Sequence, residues 1–164
     1  MTSDEQRFDA IYRAHAAAVL AYARRRAPAA LADDVVADTF LVCWRKLDRV
    51  PSEPLPWLYA VARKTLANER RKRARVAPAD PGIAYEPEPS GDAGLATAFA
   101  RLSDDDREVL RLVAWEGLAP REAARVLGCS PVAARVRYHR AKSRLRAELE
   151  AAASFRPQPK GATR

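Results

Sequence analysis

Residues 120–146 read PREAARVLGCSPVAARVRYHRAKSRLR. Pro120 to Leu127 has the composition of a short helix, with Ala123, Ala124 and Leu127 small or apolar enough for close packing. Gly128 permits a sharp turn. Ser130 followed by Pro131 is a strong helix start, the serine capping and the proline in the first turn. From there Ala134, Tyr138, Ala141, Leu145 and Leu149 recur at i, i+4, i+7, i+11 and i+15, one face of a long helix. Burying that stripe turns Val132, Ala133, Val136, Arg137 and Arg140 outward. Short helix, glycine turn and capped longer helix make a helix-turn-helix, and its outward face suits a DNA groove. Small groups allow close approach, while Arg bonds phosphates or guanine edges. Ser130 stands at the reading end of that helix, and Arg135, Arg144 and Arg146 flank the face as phosphate contacts.

Working back along the chain, helical spacing recurs and glycine is absent before Gly82. Phe8, Ile11, Tyr12, His15 and Val19 form one face of a helix running to about Arg26, stopped by Pro28. A second helix from about Leu31 to Leu47 has Val36, Phe40, Cys43, Trp44 and Leu47 as its buried stripe. Asp33 and Asp34 sit at its start, where carboxylates favour the helix dipole. Residues 48–56, DRVPSEPLP, hold three prolines and form a loop. Pro56 then suits the first position of a third helix, PWLYAVARKTLANERRKRAR, residues 56–75. Residues 76–94 contain four prolines, three glycines and four acids, without a period, and read as a linker. Beyond it, Leu95, Phe99 and Leu102 share a helix face, and Ser103 caps a helix that Gly117 ends. The expectation is an all-α chain of two small helical domains, 1–75 and 95–150, joined by a flexible linker and followed by a frayed tail, 151–164.

Charge sharpens this outline. Residues 56–75 carry seven cations against one anion and residues 130–164 nine against two, while 1–55 balance at eight each. All the excess positive charge lies in these two islands, which argues for two anion-binding surfaces. Arg63, Arg70, Arg71, Lys72, Arg73 and Arg75 cannot all be buried and form a phosphate-tracking face. Tyr59 has two readings, a base-stacking ring and a core residue. Trp57 reads as core. Cys43 and Cys129 are distant from each other and from any histidine, so neither a zinc site nor another metal or cofactor is expected, and both thiols read as small buried groups. The N-terminus does not fit a signal peptide, no run is long enough to span a bilayer, and the expectation is a cytoplasmic protein that does not bind membrane.

Three segments, in order, resemble the extracytoplasmic-function sigma factors of bacterial RNA polymerase. DDVVADTFLVCWRKL is similar to that family's polymerase-binding helix, and PWLYAVARKTLANERRKRAR to its promoter-melting and minus-ten segment. LSDDDREVLRLVAWEGLAPREAARVLGCSPVAARVRYHRAKSRLR is similar to its minus-thirty-five-binding domain. The resemblance implies binding of core RNA polymerase and promoter DNA, with no catalytic residues of the chain's own. It implies docking on polymerase through Asp34, Asp38, Phe40 and Leu41, with Phe40 equally placed for the core. Base reading would fall to the loop 48–56 and to Lys64 and Asn68, near Tyr59, Arg63, Arg70, Arg71 and Arg73. Here the chain departs from the family, which often has asparagine in place of Lys64, aspartate in place of Asn68 and glutamine in place of Ala37. Members are often held by an anti-sigma protein, a further possible partner.

Three other classes fit the sequence less well. A stand-alone helix-turn-helix regulator leaves the first domain without purpose and lacks a dimer seam. An enzyme has too little to work with, since Asp104, Asp105 and Asp106 sit at a helix start where they serve the dipole. A membrane-surface helix at 56–75 does not account for the second island.

Overall fold

The computed structural model describes residues 2–76 and 93–154. Its helices are α1 (Ser3–Arg24), α2 (Ala29–Arg45), α3 (Pro54–Val76), α4 (Ala93–Ala100), α5 (Asp104–Ala114), α6 (Pro120–Leu127) and α7 (Pro131–Ser154), with a 3-10 turn at Leu47–Arg49. The all-α expectation holds. The predicted linker falls almost wholly on residues 77–92, outside the described residues.

Local chemistry sets the ends. At α1, the Glu5 N–H donates to Thr2 Oγ1 at 3.2 Å and the Thr2 N–H to Glu5 Oε2 at 2.7 Å, a reciprocal cap. Two boundaries differ from expectation. α2 begins at Ala29 behind Pro28, so Asp33 and Asp34 lie in its second turn, where the dipole has faded. α3 begins at Pro54 rather than Pro56, because Pro54 itself takes the first helical position. The loop before it is correspondingly shorter. At the other end, residues 151–154 continue α7 instead of fraying.

α1, α2 and α3 pack pairwise around Val19, Tyr22, Val35, Cys43, Leu58, Ala62 and Leu66. α4, α5 and α7 close a smaller core around Phe99, Leu102, Val109, Leu110 and Ala141. Burial pushes the Cys43 thiol up, which keeps it protonated and inert. Cys129 is only half-buried, contrary to expectation, because it occupies the turn between α6 and α7, where its N–H bonds Ala124 O at 3.0 Å.

The two groups of helices are not separate bodies. α6 packs on α3 as well as on α7, and Leu112, Leu118, Ala123 and Val126 belong to the same buried cluster as Leu58 and Tyr59. The cause is local. α6 buries Ala123, Ala124 and Val126, and alanines let a short helix approach two neighbours at once. Polar groups flank this contact. Arg26 Nε donates to Glu108 Oε2 and Arg26 Nη1 to Glu116 Oε1, both at 2.8 Å, across 82 and 90 residues of sequence. Arg25 also pairs with Glu116, and the Tyr22 hydroxyl donates to Glu108 Oε1 at 3.2 Å.

Candidate nucleic-acid interface

The helix-turn-helix is built as its residues suggest. Gly128 adopts φ 66° and ψ 37°, the left-handed conformation that closes α6, and its N–H bonds Ala124 O. Ser130 Oγ accepts the Ala133 N–H at 3.2 Å, so its hydroxyl is engaged as the α7 cap. Ala134 and Ala141 are buried, with Tyr138 and Leu145 packed beside them. On the opposite side Val132 is 72% exposed and Val136 41% exposed, between the exposed Arg135, Arg137 and Arg140. Apolar groups of this size can meet a thymine methyl while arginines bond guanine or phosphate. Ala133 is half-buried at the margin of this face.

Arg144, although its side chain is 59% exposed, has a partner within the protein. Its Nη1 lies 2.9 and 2.7 Å from the two carboxylate oxygens of Asp106, tying α7 to α5. Asp106 gives its carboxylate to this brace. Ser103 still caps α5 by accepting the Asp106 N–H at 3.2 Å.

α3 is divided along its length. Lys64, Asn68, Arg71, Arg73 and Arg75 are exposed and Arg63 is half-buried. Arg71 donates to Asn68 Oδ1 and Lys72 to Glu69, a bond that pushes the Lys72 ammonium up. Arg70 is exposed as well, and its Nη2 donates to the Arg26 carbonyl at 2.8 Å. Tyr59 is not a free ring. It is 2% exposed and stacked on Tyr22, with centroids 4.7 Å apart and planes 18° from parallel. Burial, with the Glu116 carboxylate nearby, pushes its hydroxyl up to about 12. In this arrangement the core reading of Tyr59 holds, because its ring lies against Tyr22 in the same buried cluster as Leu118, Ala123 and Val126.

Asp34, Asp38 and Leu41 stand on the outer side of α2, with Leu41 44% exposed. Phe40 is buried, edge-on to Tyr12 at 4.8 Å, so its place is in the core. Trp44, assigned to the buried stripe of α2, is instead half out of the protein at 44% exposure, and Tyr12 on α1 is 45% exposed. Trp44 lies roughly 80° around the helix from Val36, at the stripe's margin, and rests edge-on against Phe8 at 5.3 Å. An open groove between α2 and α3 brings Asp38, Leu41 and Arg45 alongside Asn68, Arg71 and Arg75. The polymerase-facing and DNA-facing candidates thus adjoin.

Sequence reasoning missed the charges between the halves. An Arg-Arg pair at a helix end reads as a complement to the dipole, and Glu108 and Glu116 read as surface charge. Only their meeting in space reveals them. Arg26 is held above its usual range. Burial opposes this, but Tyr22, Glu108 and Glu116 outweigh it. Burial, then Glu108, pushes the Tyr22 hydroxyl up. Arg111, close by, is pushed down to about 10 by burial and the Arg26 charge and remains a cation at neutral pH.

A helix-turn-helix with a free reading face, joined to a second basic helix beside an acidic and aromatic surface, defines a DNA-binding protein with two anion-binding faces. Residues 11–76 match Sigma-70 region 2, and residues 93–145 match Sigma-70, region 4. The chain belongs to the sigma factors of RNA polymerase, in the extracytoplasmic-function group. It is 34% identical over 128 residues to the ECF RNA polymerase sigma factor EcfG of Rhodopseudomonas palustris, covering 72% of this chain and 71% of that protein. It is 32% identical over 155 residues to the ECF RNA polymerase sigma factor SigL of Mycobacterium tuberculosis, covering 86% and 88%. Among solved structures, it is similar to the sigma factor RpoE in complex with the anti-sigma factor NepR from Bartonella quintana. That match has a TM-score of 0.67 at 26% identity over 87% of this chain and 96% of that one. CnrH in complex with the cytosolic domain of CnrY gives 0.59 at 30% identity, covering 88% of each.

Proposed function

We infer that this sigma factor docks on core polymerase through the outer side of α2 and holds promoter DNA with its two basic helices. The observation that carries this reading is the pair of exposed cationic faces, on α3 and α7, in a chain whose excess positive charge lies nowhere else. On α2, Asp34, Asp38 and Leu41 are accessible, and Trp44 joins them as an apolar anchor of the kind that dominates binding energy. On α7, Val132, Val136, Arg137 and Arg140 read the minus-thirty-five element, with Arg135 on phosphate. On α3, Lys64, Asn68, Arg71 and Arg73 follow the minus-ten strand. The chain supplies specificity and no chemistry of its own, and it acts in the cytoplasm, where polymerase works. The two solved relatives, each captured with a second protein, support a regulatory partner of the anti-sigma kind.

The test is run-off transcription with purified core polymerase on promoters from the same genome, with core binding followed by pull-down. A promoter-specific transcript is expected. Specific duplex binding without core, and no transcript with it, would instead indicate a stand-alone regulator.

A further inference from the structure

The end of α7 that would enter a groove carries no polar side chain beyond its cap. In a helix-turn-helix the first residues of the second helix meet the base edges. Here these are Pro131, Val132, Ala133 and Ala134, and the hydroxyl oxygen of Ser130 before them is taken up by the Ala133 N–H. The first charged side chain of the helix is that of Arg135. Successive residues of a helix are about 100° apart. Arg135 and Arg137 therefore fall on opposite flanks of Val136, while Val132 and Arg140 lie within about 40° of it. Val132, Val136 and Arg140 form one exposed ridge with an arginine on either side. A helix of roughly 10–12 Å diameter fills a major groove about 12 Å wide. The flanking arginines then face the walls, where the phosphates and outer base edges lie, and the ridge faces the floor.

Folding alone gives no reason for two valines on that ridge. A single exposed apolar side chain needs no explanation. Valine, however, forms helix less readily than alanine or arginine, and these two gain little packing, at 72% and 41% exposure. Binding does give a reason. A β-branched side chain in a helix keeps one strongly preferred rotamer, so little freedom is lost when a partner covers it. Valine neither donates nor accepts a hydrogen bond. On the floor of the major groove guanine, adenine and cytosine present donors and acceptors, whereas thymine also presents a C5-methyl group. A valine over a polar edge displaces its water and returns no bond, which is unfavourable. Over a thymine methyl it removes apolar surface of both partners from water, which is favourable. The four residues from Val132 to Val136 rise about 6 Å, close to two base steps of about 3.4 Å.

We propose that Val132 and Val136 are specificity-determining residues that read two thymine methyl groups, about two base pairs apart, on the floor of the major groove. The proposal rests on the reading of α7 as the helix that binds the minus-thirty-five element, and it adds the chemistry of that element. Two of its positions are chosen by an apolar contact, where a polar helix end would choose guanine or adenine by hydrogen bonds.

The experiment binds the holoenzyme of core polymerase and the full-length chain to the promoter duplex that it transcribes in the run-off assay. Each thymine of the minus-thirty-five element is exchanged singly for uracil, which lacks only the C5-methyl. Wild type is compared with Val132→Ala and Val136→Ala, substitutions at exposed sites where alanine favours the helix. Two thymines are expected to respond, each exchange weakening wild-type binding about fourfold, the worth of one buried methyl. Val132→Ala should remove most of the response at one of them, and Val136→Ala most of it at the other. An element in which no exchange matters would overturn the proposal, as would responses that persist unchanged in both valine variants. Should core polymerase give no bound promoter, the sigma-factor reading fails. The same exchanges in duplexes that the full-length chain alone selects from a random library then decide the valine reading, and a chain that selects no duplex overturns both.

Discussion

The two basic helices carry the same kind of charge in opposite circumstances. α7 buries only alanines fully and offers its valines and arginines to solvent, with its helical cap and its brace to α5 supplied by Ser130 and Arg144. α3 buries Leu58, Tyr59, Ala62 and Leu66, and one of its arginines is spent on the carbonyl of Arg26. One helix is ready for DNA, and the other is built into a joint. A basic run therefore says where phosphate can be held, but its availability depends on what packs against the rest of that helix.

The sharpest way to break this contrast is at Glu116. Glu116→Ala leaves Arg26 buried with one of its two carboxylates gone and should cost about 3–5 kcal/mol, read from urea unfolding. Arg137→Ala on the open face of α7 should shift the same transition by no more than about 0.5 kcal/mol. Comparable losses from both would remove the distinction between held and free cations.

A smaller effect tests the turn that presents α7. Gly128 has φ +66°, and although a methyl group there meets nothing within 4 Å, the backbone conformation itself disfavours a side chain. Gly128→Ala should lose about 1 kcal/mol, visible as a lower thermal midpoint. No change would mean that the turn relaxes without strain.

Within α7 the division of labour is testable by salt. In the complex of sigma factor, core polymerase and promoter, loss of Arg135 should weaken binding and, as a phosphate contact, lower the slope of log affinity against log salt by about 1. Arg144→Ala should leave that slope unchanged, because its guanidinium is already held by Asp106. A reduced slope for Arg144→Ala would return it to the DNA face.

The smallest effect at ordinary pH concerns Tyr59. Its hydroxyl titrates near 10 in an unfolded chain and is pushed up to about 12 here. The raised value means that the folded protein holds the proton more tightly. Its contribution is fully present below pH 10 and is lost as pH rises through about 12. Phenolate absorbance should show Tyr59 ionising well above pH 10, and chemical stability should fall across the same window. Ionisation of Tyr59 near pH 10 would show that its ring is not covered as described.

The elements themselves were largely legible in the sequence. Prolines, the Ser130 and Ser103 caps, Gly128 and the spacing of apolar residues act over a few positions, so α1 to α7 could be read with boundaries off by a turn at most places. The outward face of α7 was legible for the same reason, since burying one stripe of a helix dictates the opposite one. Trp44 was misread because periodicity locates an apolar stripe without revealing how wide a neighbour will cover it. Tyr59, Phe40 and Arg144 were left open or assigned outward because their partners, Tyr22, Tyr12 and Asp106, are remote in sequence.

By itself, then, the sequence determined the helices, the two islands of positive charge and the helix-turn-helix, because capping, turn geometry and periodicity are local properties of a chain. The tertiary structure alone decided that the two halves close on each other and that Arg25 and Arg26 meet Glu108 and Glu116 there. Charge pairing over 82 to 91 residues leaves no periodic trace, and only a fold that brings those positions together can turn unremarkable surface ions into a buried joint.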